Sequence, residues 1–299
     1  MIPYYNRVTQ KIEHEQVYGG SYLNWAYRNP LGFFLTDRVF SKTWVSRIFG
    51  AVEDSTLSRS KIAPFIDRYG IDMRDFEEAD YTCFNDFFIR RFKPGKRNFT
   101  PGHRVFCAGA EARYLVFSDL RTHQKFSVKG IEIDLPELLG DADLARKFEG
   151  GSFVLARLCP VDYHRFHFPF SGKLTRHYRV PGALHSVNPV AIEATPRVFL
   201  ENERQVAVIE HPDFGSCAMI EVGALGVGKI VQSAYSERTP LPLAFEKGFE
   251  KGYFLFGGST VIWLLPKGKI KLAEDLVLNS SKGLETWVPL GQPLGELIE

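Results

Sequence analysis

The sequence predicts an α+β protein: a helical N-terminal region followed by a β-rich body with barrel-sandwich-like hairpins. Two observations carry this. Up to about residue 100, apolar side chains recur at helical spacing. After Pro101, short apolar runs of strand length follow one another, bounded by Gly, Pro, Asn and Asp. The length of 299 residues, 44% of them hydrophobic, suffices for one large domain or two medium ones and excludes a disordered or disulfide-stapled chain.

In chain order, the first helix is expected from Phe33 to Phe49. There Phe33, Phe40, Trp44 and Ile48 recur at helical spacing, with Arg38, Lys42 and Arg47 on other faces. Such a helix either faces a core or lies in a membrane interface, aromatic side down. A second helix gathers Ile62, Phe65, Ile66 and Tyr69 and closes at Gly70, with Pro64 in its first turn or kinking it. Strands are expected at Arg113–Phe117, Ser152–Leu158, Val206–Ile209, Ala218–Val222, Lys229–Ser233 and Thr260–Leu265, with one helical interruption from Leu135 to Phe148. The closing VPLGQPLGEL places two Gly-containing turns around short apolar pairs, as small sandwiched barrels do. The division falls near residue 100, between a 1–100 region and a 101–299 body.

Thirty-seven Lys and Arg against 35 Asp and Glu leave a formal charge of +2, which makes no case for nucleic acid held by bulk charge. The cysteines at 83, 107, 159 and 217 form no CxxC pair and read as free thiols in a reducing compartment. MIPYYNRVTQKIEHEQ is too polar for a secretory signal. The longest charge-free stretch, Gly252 to Pro266, is shorter than the roughly 20 apolar residues of a spanning helix.

Three segments hold more reactive groups than packing requires. Gly257-Gly258-Ser259-Thr260 interrupts two apolar runs; two glycines there mark a β-bulge or a close backbone approach. Asp162-Tyr163-His164-Arg165-Phe166-His167 offers two histidines that a strand would point to opposite faces. They read as structural histidines, as metal ligands lacking a convincing third partner, or as a general base for a hydroxyl nucleophile. Glu111, just before Tyr114–Phe117, is either a solvated loop carboxylate or the acid that orients a histidine.

Taken in order, these segments resemble the pyruvoyl-dependent, self-cleaving phosphatidylserine decarboxylases. The resemblance extends over nearly the whole chain. It includes Tyr5-Asn6-Arg7 with Lys11 and Glu13, Phe84-Asn85-Asp86-Phe87-Phe88-Ile89-Arg90-Arg91, and Lys93-Pro94-Gly95. It continues through the histidine segment, Gly182-Ala183-Leu184-His185-Ser186-Val187-Asn188-Pro189 and Asn202-Glu203-Arg204. It closes with Val222-Gly223-Ala224, Val227-Gly228 and Phe256-Gly257-Gly258-Ser259-Thr260.

The resemblance implies a precursor cut at Gly258–Ser259, giving chains 1–258 and 259–299. Ser259 Oγ would attack the Gly258 carbonyl, and elimination and hydrolysis would turn Ser259 into a covalent pyruvoyl group. By the same resemblance, His167 is the base for self-cleavage and His164 manages the proton delivered after CO2 leaves. The pyruvoyl carbonyl would form a Schiff base with the substrate amine and act as electron sink, giving phosphatidylethanolamine with no metal. Phosphatidylserine in a membrane, a homodimer, and a peripheral place on the cytoplasmic face, contacted by the N-terminal region, are implied likewise. One departure stands out: the family's Pro-x-Asp-Gly has Glu111 and Ala112 in its last two positions here. Two alternatives therefore accompany the main reading: an uncut lipid-binding homologue, and a pyruvoyl decarboxylase of a free amino acid.

Overall fold

A computed structural model describes residues 2–126, 130–225, 229–257 and 259–298. Gly258 and the Val227-Gly228 pair lie outside the described residues.

Ten strands form one open sheet. From one edge to the other they are Leu243–Phe245, Gly172–Val180, Arg204–His211, Gly215–Val222, Ser259–Leu265, Ser152–Leu158, Ala112–Phe117, Glu285–Val288, Ile2–Asn6 and Lys11–Glu15. Neighbours are antiparallel except Ile2–Asn6 and Glu285–Val288, which run parallel with Tyr4 opposite Glu285. The two central strands, SFVLARL and STVIWLL, are buried at every residue, which is why they read as continuous apolar runs and not as alternating ones. A three-stranded sheet of Ile230–Gln232, Glu250–Phe254 and Arg165–His167 carries the histidine segment. Another joins Ile270–Leu272, Pro293–Leu297 and Val105–Cys107. The strand order of the large sheet is linear, so the C-terminal hairpins do not close a barrel among the described residues.

The structure corrects the sequence reading in three places. The N-terminus opens with a β-hairpin, not a helix. Its turn is held by Asn6 Oδ1, which accepts from Val8 and Thr9 N–H, and by Glu13, which accepts from Tyr4 Oη and Asn6 Nδ2. No aliphatic stripe announces this hairpin, because it is half-exposed and takes its place by pairing with a strand 281 residues away.

The expected Phe33–Phe49 helix is broken into Pro30–Leu35, a wide turn at Thr36–Phe40, and Thr43–Glu53. Buried Ser41 causes the break. Its hydroxyl donates back to the Asp37 carbonyl, and its own carbonyl accepts from Leu184 N–H at 2.8 Å instead of continuing the helix. The interruption at Leu135–Phe148 is two short helices, Leu135–Leu139 and Ala142–Arg146. Gly140 ends the first at φ 65° and Asp141 caps the second through Leu144 N–H. The Ile62–Tyr69 helix forms as expected, Pro64 lying in its first turn and left-handed Gly70 closing it.

Beneath the sheet centre, Arg157 joins three distant segments. Its guanidinium donates to Glu285 at 2.9 and 2.7 Å, to Glu15 at 2.7 Å and to the Cys159 sulfur at 3.0 Å. Arg113 adds contacts to Asp162 at 2.7 Å and Glu15 at 3.3 Å. All five charged residues are buried. Replacing one member of such a network costs about 3–5 kcal/mol, since the remaining charges stay desolvated. Arg157→Met is therefore expected to lower Tm sharply in calorimetry, whereas Arg146→Met, at an exposed helix end, leaves it nearly unchanged.

Candidate functional site

Ser259 opens a central strand, opposite Leu158 on one side, with Thr260 opposite Val222 on the other. Its side chain is fully buried, and Oγ has no hydrogen-bond partner among the described residues. An unpartnered buried hydroxyl costs free energy that a purely structural residue would avoid, and alanine would fit the strand equally well. Just before it, Gly257 takes φ 143°, a conformation L side chains rarely adopt. The Gly-Gly pair therefore answers a backbone need at Gly257.

The segment entering this motif is pinned by the short Phe84–Phe88 helix. Asn85 Oδ1 accepts from Phe256 N–H at 2.7 Å while Asn85 Nδ2 donates to Asp54 at 2.7 Å. Phe84 and Phe88 meet the Phe256 ring edge-on at 5.1 and 5.2 Å. Phe88 also lies against the His164 ring, centroids 3.8 Å apart. This is why FNDFF sets one amide residue among aromatic ones, a role that spacing alone did not disclose.

The two histidines point to opposite sides, as extended backbone requires. His164 is fully buried with Phe88; its Nδ1 donates to the Asp162 carbonyl at 3.0 Å, leaving Nε2 with a lone pair and no partner among the described residues. Burial, with the nearby Arg90 charge, lowers its pKa from 6.5 to about 3, so the ring is neutral at ordinary pH. His167 joins another group. Its Nδ1 donates to the Gly248 carbonyl at 2.9 Å, and Nε2 faces the Tyr163 hydroxyl at 3.4 Å. Burial lowers its pKa too, against the Gly248 bond.

Glu111 is buried beside that second group. Its carboxylate accepts from Arg97 at 2.6 and 3.2 Å and from Leu290 N–H at 3.3 Å. Burial raises its pKa despite Arg97. Glu111 is thus neither solvated nor on His167: the link to the histidine runs through backbone, Gly109 O accepting from His167 N–H at 2.7 Å. The described contacts bring His164 against Phe88, which also meets Phe256, and gather His167, Tyr163, Arg97 and Glu111 around Phe92 and Phe99.

A cavity of about 520 Å³ adjoins Phe256 and Gly257. Tyr18, Tyr22, Leu23, Phe40 and Phe49 give it an apolar wall, while Glu15 and Arg157, with Cys159 beside them, supply a charged floor. Ser186 and Asn188 line it as well, held in place by buried Asn202, which bonds His185 N–H and C=O and the Gly223 carbonyl at 2.8 Å each. Sequence reasoning passed over Arg157, Glu15 and Glu285. Their only signal was charge in apolar strands, Arg157 within SFVLARL and Glu285 just before TWV.

No described helix is long and apolar enough to cross a membrane. Leu31 and Phe34, together with Trp44, Ile48, Phe49 and Val52 of the Thr43–Glu53 helix, are exposed, most of them by about half or more. One face of the helix carries Val45, Ser46 and Gly50 inward, and another leaves large apolar side chains uncovered.

The buried His164 makes stability pH-dependent. Its folded pKa is depressed, so the unfolded chain binds one proton more between the two values. Its contribution is present in full above about 6.5 and is lost as pH falls toward about 3. Urea midpoints measured from about pH 7 to about pH 4 should fall less steeply in His164→Gln than in the parent chain; parallel curves would contradict the assignment.

Comparison with known proteins agrees over the full chain. The family model for phosphatidylserine decarboxylase matches residues 84–295. A Clostridium botulinum (strain Kyoto / Type A2) protein named phosphatidylserine decarboxylase proenzyme is 38% identical over 297 residues, covering 99% of both chains. Proteins of the same name from Desulfitobacterium hafniense (strain DSM 10664 / DCB-2) and Clostridium beijerinckii are 38% and 36% identical over 99% of this chain and 98% and 99% of theirs.

Proposed function

We infer the reaction from this premise: the chain belongs to the phosphatidylserine decarboxylase family and is a carboxy-lyase of phospholipid biosynthesis. We propose that it is made as a precursor, cuts itself between Gly258 and Ser259, and removes CO2 from phosphatidylserine at the new N-terminus. The observation that carries the reading is the buried, unpartnered Ser259 hydroxyl following the positive-φ Gly257. A side chain due to be converted needs no hydrogen-bond partner of its own.

In self-cleavage, Ser259 Oγ gives up its proton, forms a bond to the Gly258 carbonyl carbon, and the peptide C–N bond breaks, leaving an ester and a free Ser259 amine. Loss of the Ser259 α-proton expels the residue 1–258 carboxylate, and water then displaces ammonia from the remaining unit. His167 is the base in this proposal. The Gly248 carbonyl holds its proton on Nδ1, so Nε2 keeps the lone pair. Glu111 serves as the relay acid by exchanging Arg97 for His167, the two being anchored through Gly109. A serine hydroxyl needs such help because its own pKa is far above neutral.

The pyruvoyl group so formed supplies a carbonyl that accepts the electron pair left by CO2. The protein's residues do the rest. His164 Nε2, unprotonated at ordinary pH, would take a proton released by the substrate ammonium and pass it to the carbon once CO2 has left. The cavity beside Gly257 is of headgroup size. The exposed Trp44, Ile48 and Val52 would place it at a bilayer surface, letting the acyl chains remain in lipid. After the cut, the 259–298 segment stays bound by strand pairing on both sides of Ser259–Leu265 and by the Arg157–Glu285 ion pair.

A denaturing intact-mass spectrum tests the proposal. Two masses are expected, the smaller with a blocked N-terminus, and Ser259→Ala should give a single inactive chain of about 34.0 kDa. One uncut mass for the parent protein would favour the lipid-binding alternative, and release of CO2 from free serine but not from phosphatidylserine vesicles would favour the amino-acid one. Glu111→Gln is expected to slow appearance of the two masses at least about tenfold; an unchanged rate would remove Glu111 from the relay.

A further inference from the structure

A second cleft, of about 440 Å³, opens beside the same Thr43–Glu53 helix, lined by Thr43 and Arg47 on one side and Arg179, Glu203, Gln205 and Lys229 on the other. Arg179 is paired with Glu203 at 2.5 Å. Arg47 and Lys229 are exposed and have no ion pair or side-chain hydrogen bond among the described residues. Three cations against one carboxylate give the cleft a local +2, as large as the formal charge of the whole chain. The positive charge that bulk composition does not supply is therefore concentrated here. Gln205 is fixed as part of the wall, its amide bonded to the Ile230 carbonyl and to Gln232.

The cleft's place on the helix indicates its ligand. Thr43 and Arg47 are one turn apart on one face, and Trp44, Ile48 and Val52 recur at the same spacing on the adjoining face, 57%, 57% and 49% exposed. A helix whose apolar stripe enters a bilayer holds its flanking face at headgroup depth. A guanidinium, an ammonium and a hydroxyl at that depth match a phosphodiester.

We propose that this cleft binds the phosphate of an anionic phospholipid, a molecule separate from the one decarboxylated beside Ser259. The proposal rests on the reading that the Thr43–Glu53 helix faces the bilayer, and the test separates the two.

The full chain is titrated with monomeric dihexanoyl-phosphatidylglycerol, which has no amine to react and needs no bilayer. Saturable binding is expected, weakened roughly fivefold by each of Arg47→Gln and Lys229→Gln. Lys147→Gln with Lys282→Gln, exposed cations elsewhere, should leave it unchanged. Cleft variants that bind like the parent, or a control pair that weakens binding equally, would overturn the site. Inorganic phosphate competing as well as the lipid would overturn the lipid assignment. The same proteins are then floated with phosphatidylcholine vesicles with and without phosphatidylglycerol. Preference for the anionic vesicles should vanish in the cleft variants and persist in the control pair. A parent chain that binds the short-chain lipid but no vesicle supports the cleft and overturns the bilayer-facing helix.

Discussion

Arg157 is the constraint on which much else depends. One buried guanidinium forks onto Glu285 and reaches Glu15, so the first hairpin, a central strand and the Glu285–Val288 strand must assemble together for this guanidinium to make all of its bonds. Burial alone would raise the Glu15 pKa, and Arg157 and Arg113 outweigh it. Such a network adds less net stability than an apolar core would, but an arrangement lacking one member is heavily penalised, which favours a single assembly. The same residues form the charged floor of the cavity beside Gly257, so fold and site share one electrostatic element. The network also spans the proposed cut: Glu285 lies on one side of residue 258, Arg157 and Glu15 on the other.

Around this floor, motif residues divide into those that offer reactive atoms and those that hold the backbone. Ser259 Oγ and His164 Nε2 are buried without partners among the described residues, a costly state that leaves both atoms free for the proposed chemistry. Asn85 and Asn202 do the opposite: every amide contact they make is to backbone or to a neighbouring carboxylate, fixing the approach to Gly257 and the loop carrying Ser186 and Asn188. Arg204 likewise spends its guanidinium on the carbonyls of Leu138, Leu200 and Asn202. Strings of matching residues in one sequence thus mix catalysts with scaffolding, and only contacts distinguish them.

The strands were legible because central, doubly covered strands are mostly apolar. Ser152–Leu158 has the expected limits, and Thr260–Leu265 gains only Ser259. The N-terminal hairpin was not, because a half-exposed edge pair has no apolar alternation to display. The Phe33–Phe49 helix misled for the converse reason: its apolar spacing persists across Ser41, while the break comes from a hydrogen bond to Leu184. Glu111 shows the same limit at the site. Its charge and place in the chain were readable, but Arg97, fourteen residues earlier, claims its carboxylate in the folded chain.

By itself the sequence determined the identity of the reactive groups and the local conformations that follow from nearest neighbours. These include a serine after two glycines, histidines three apart that a strand would point to opposite faces, and a helix stopped at Gly70. Tertiary structure alone decided which partners those groups acquire. His164 lies against Phe88, His167 under the Gly248 carbonyl, Glu111 on Arg97, and Arg157 between carboxylates from both ends of the chain. The physical reason is range: spacing along the backbone sets direction within a few residues, whereas burial and charge pairing depend on which distant segments fill the same volume.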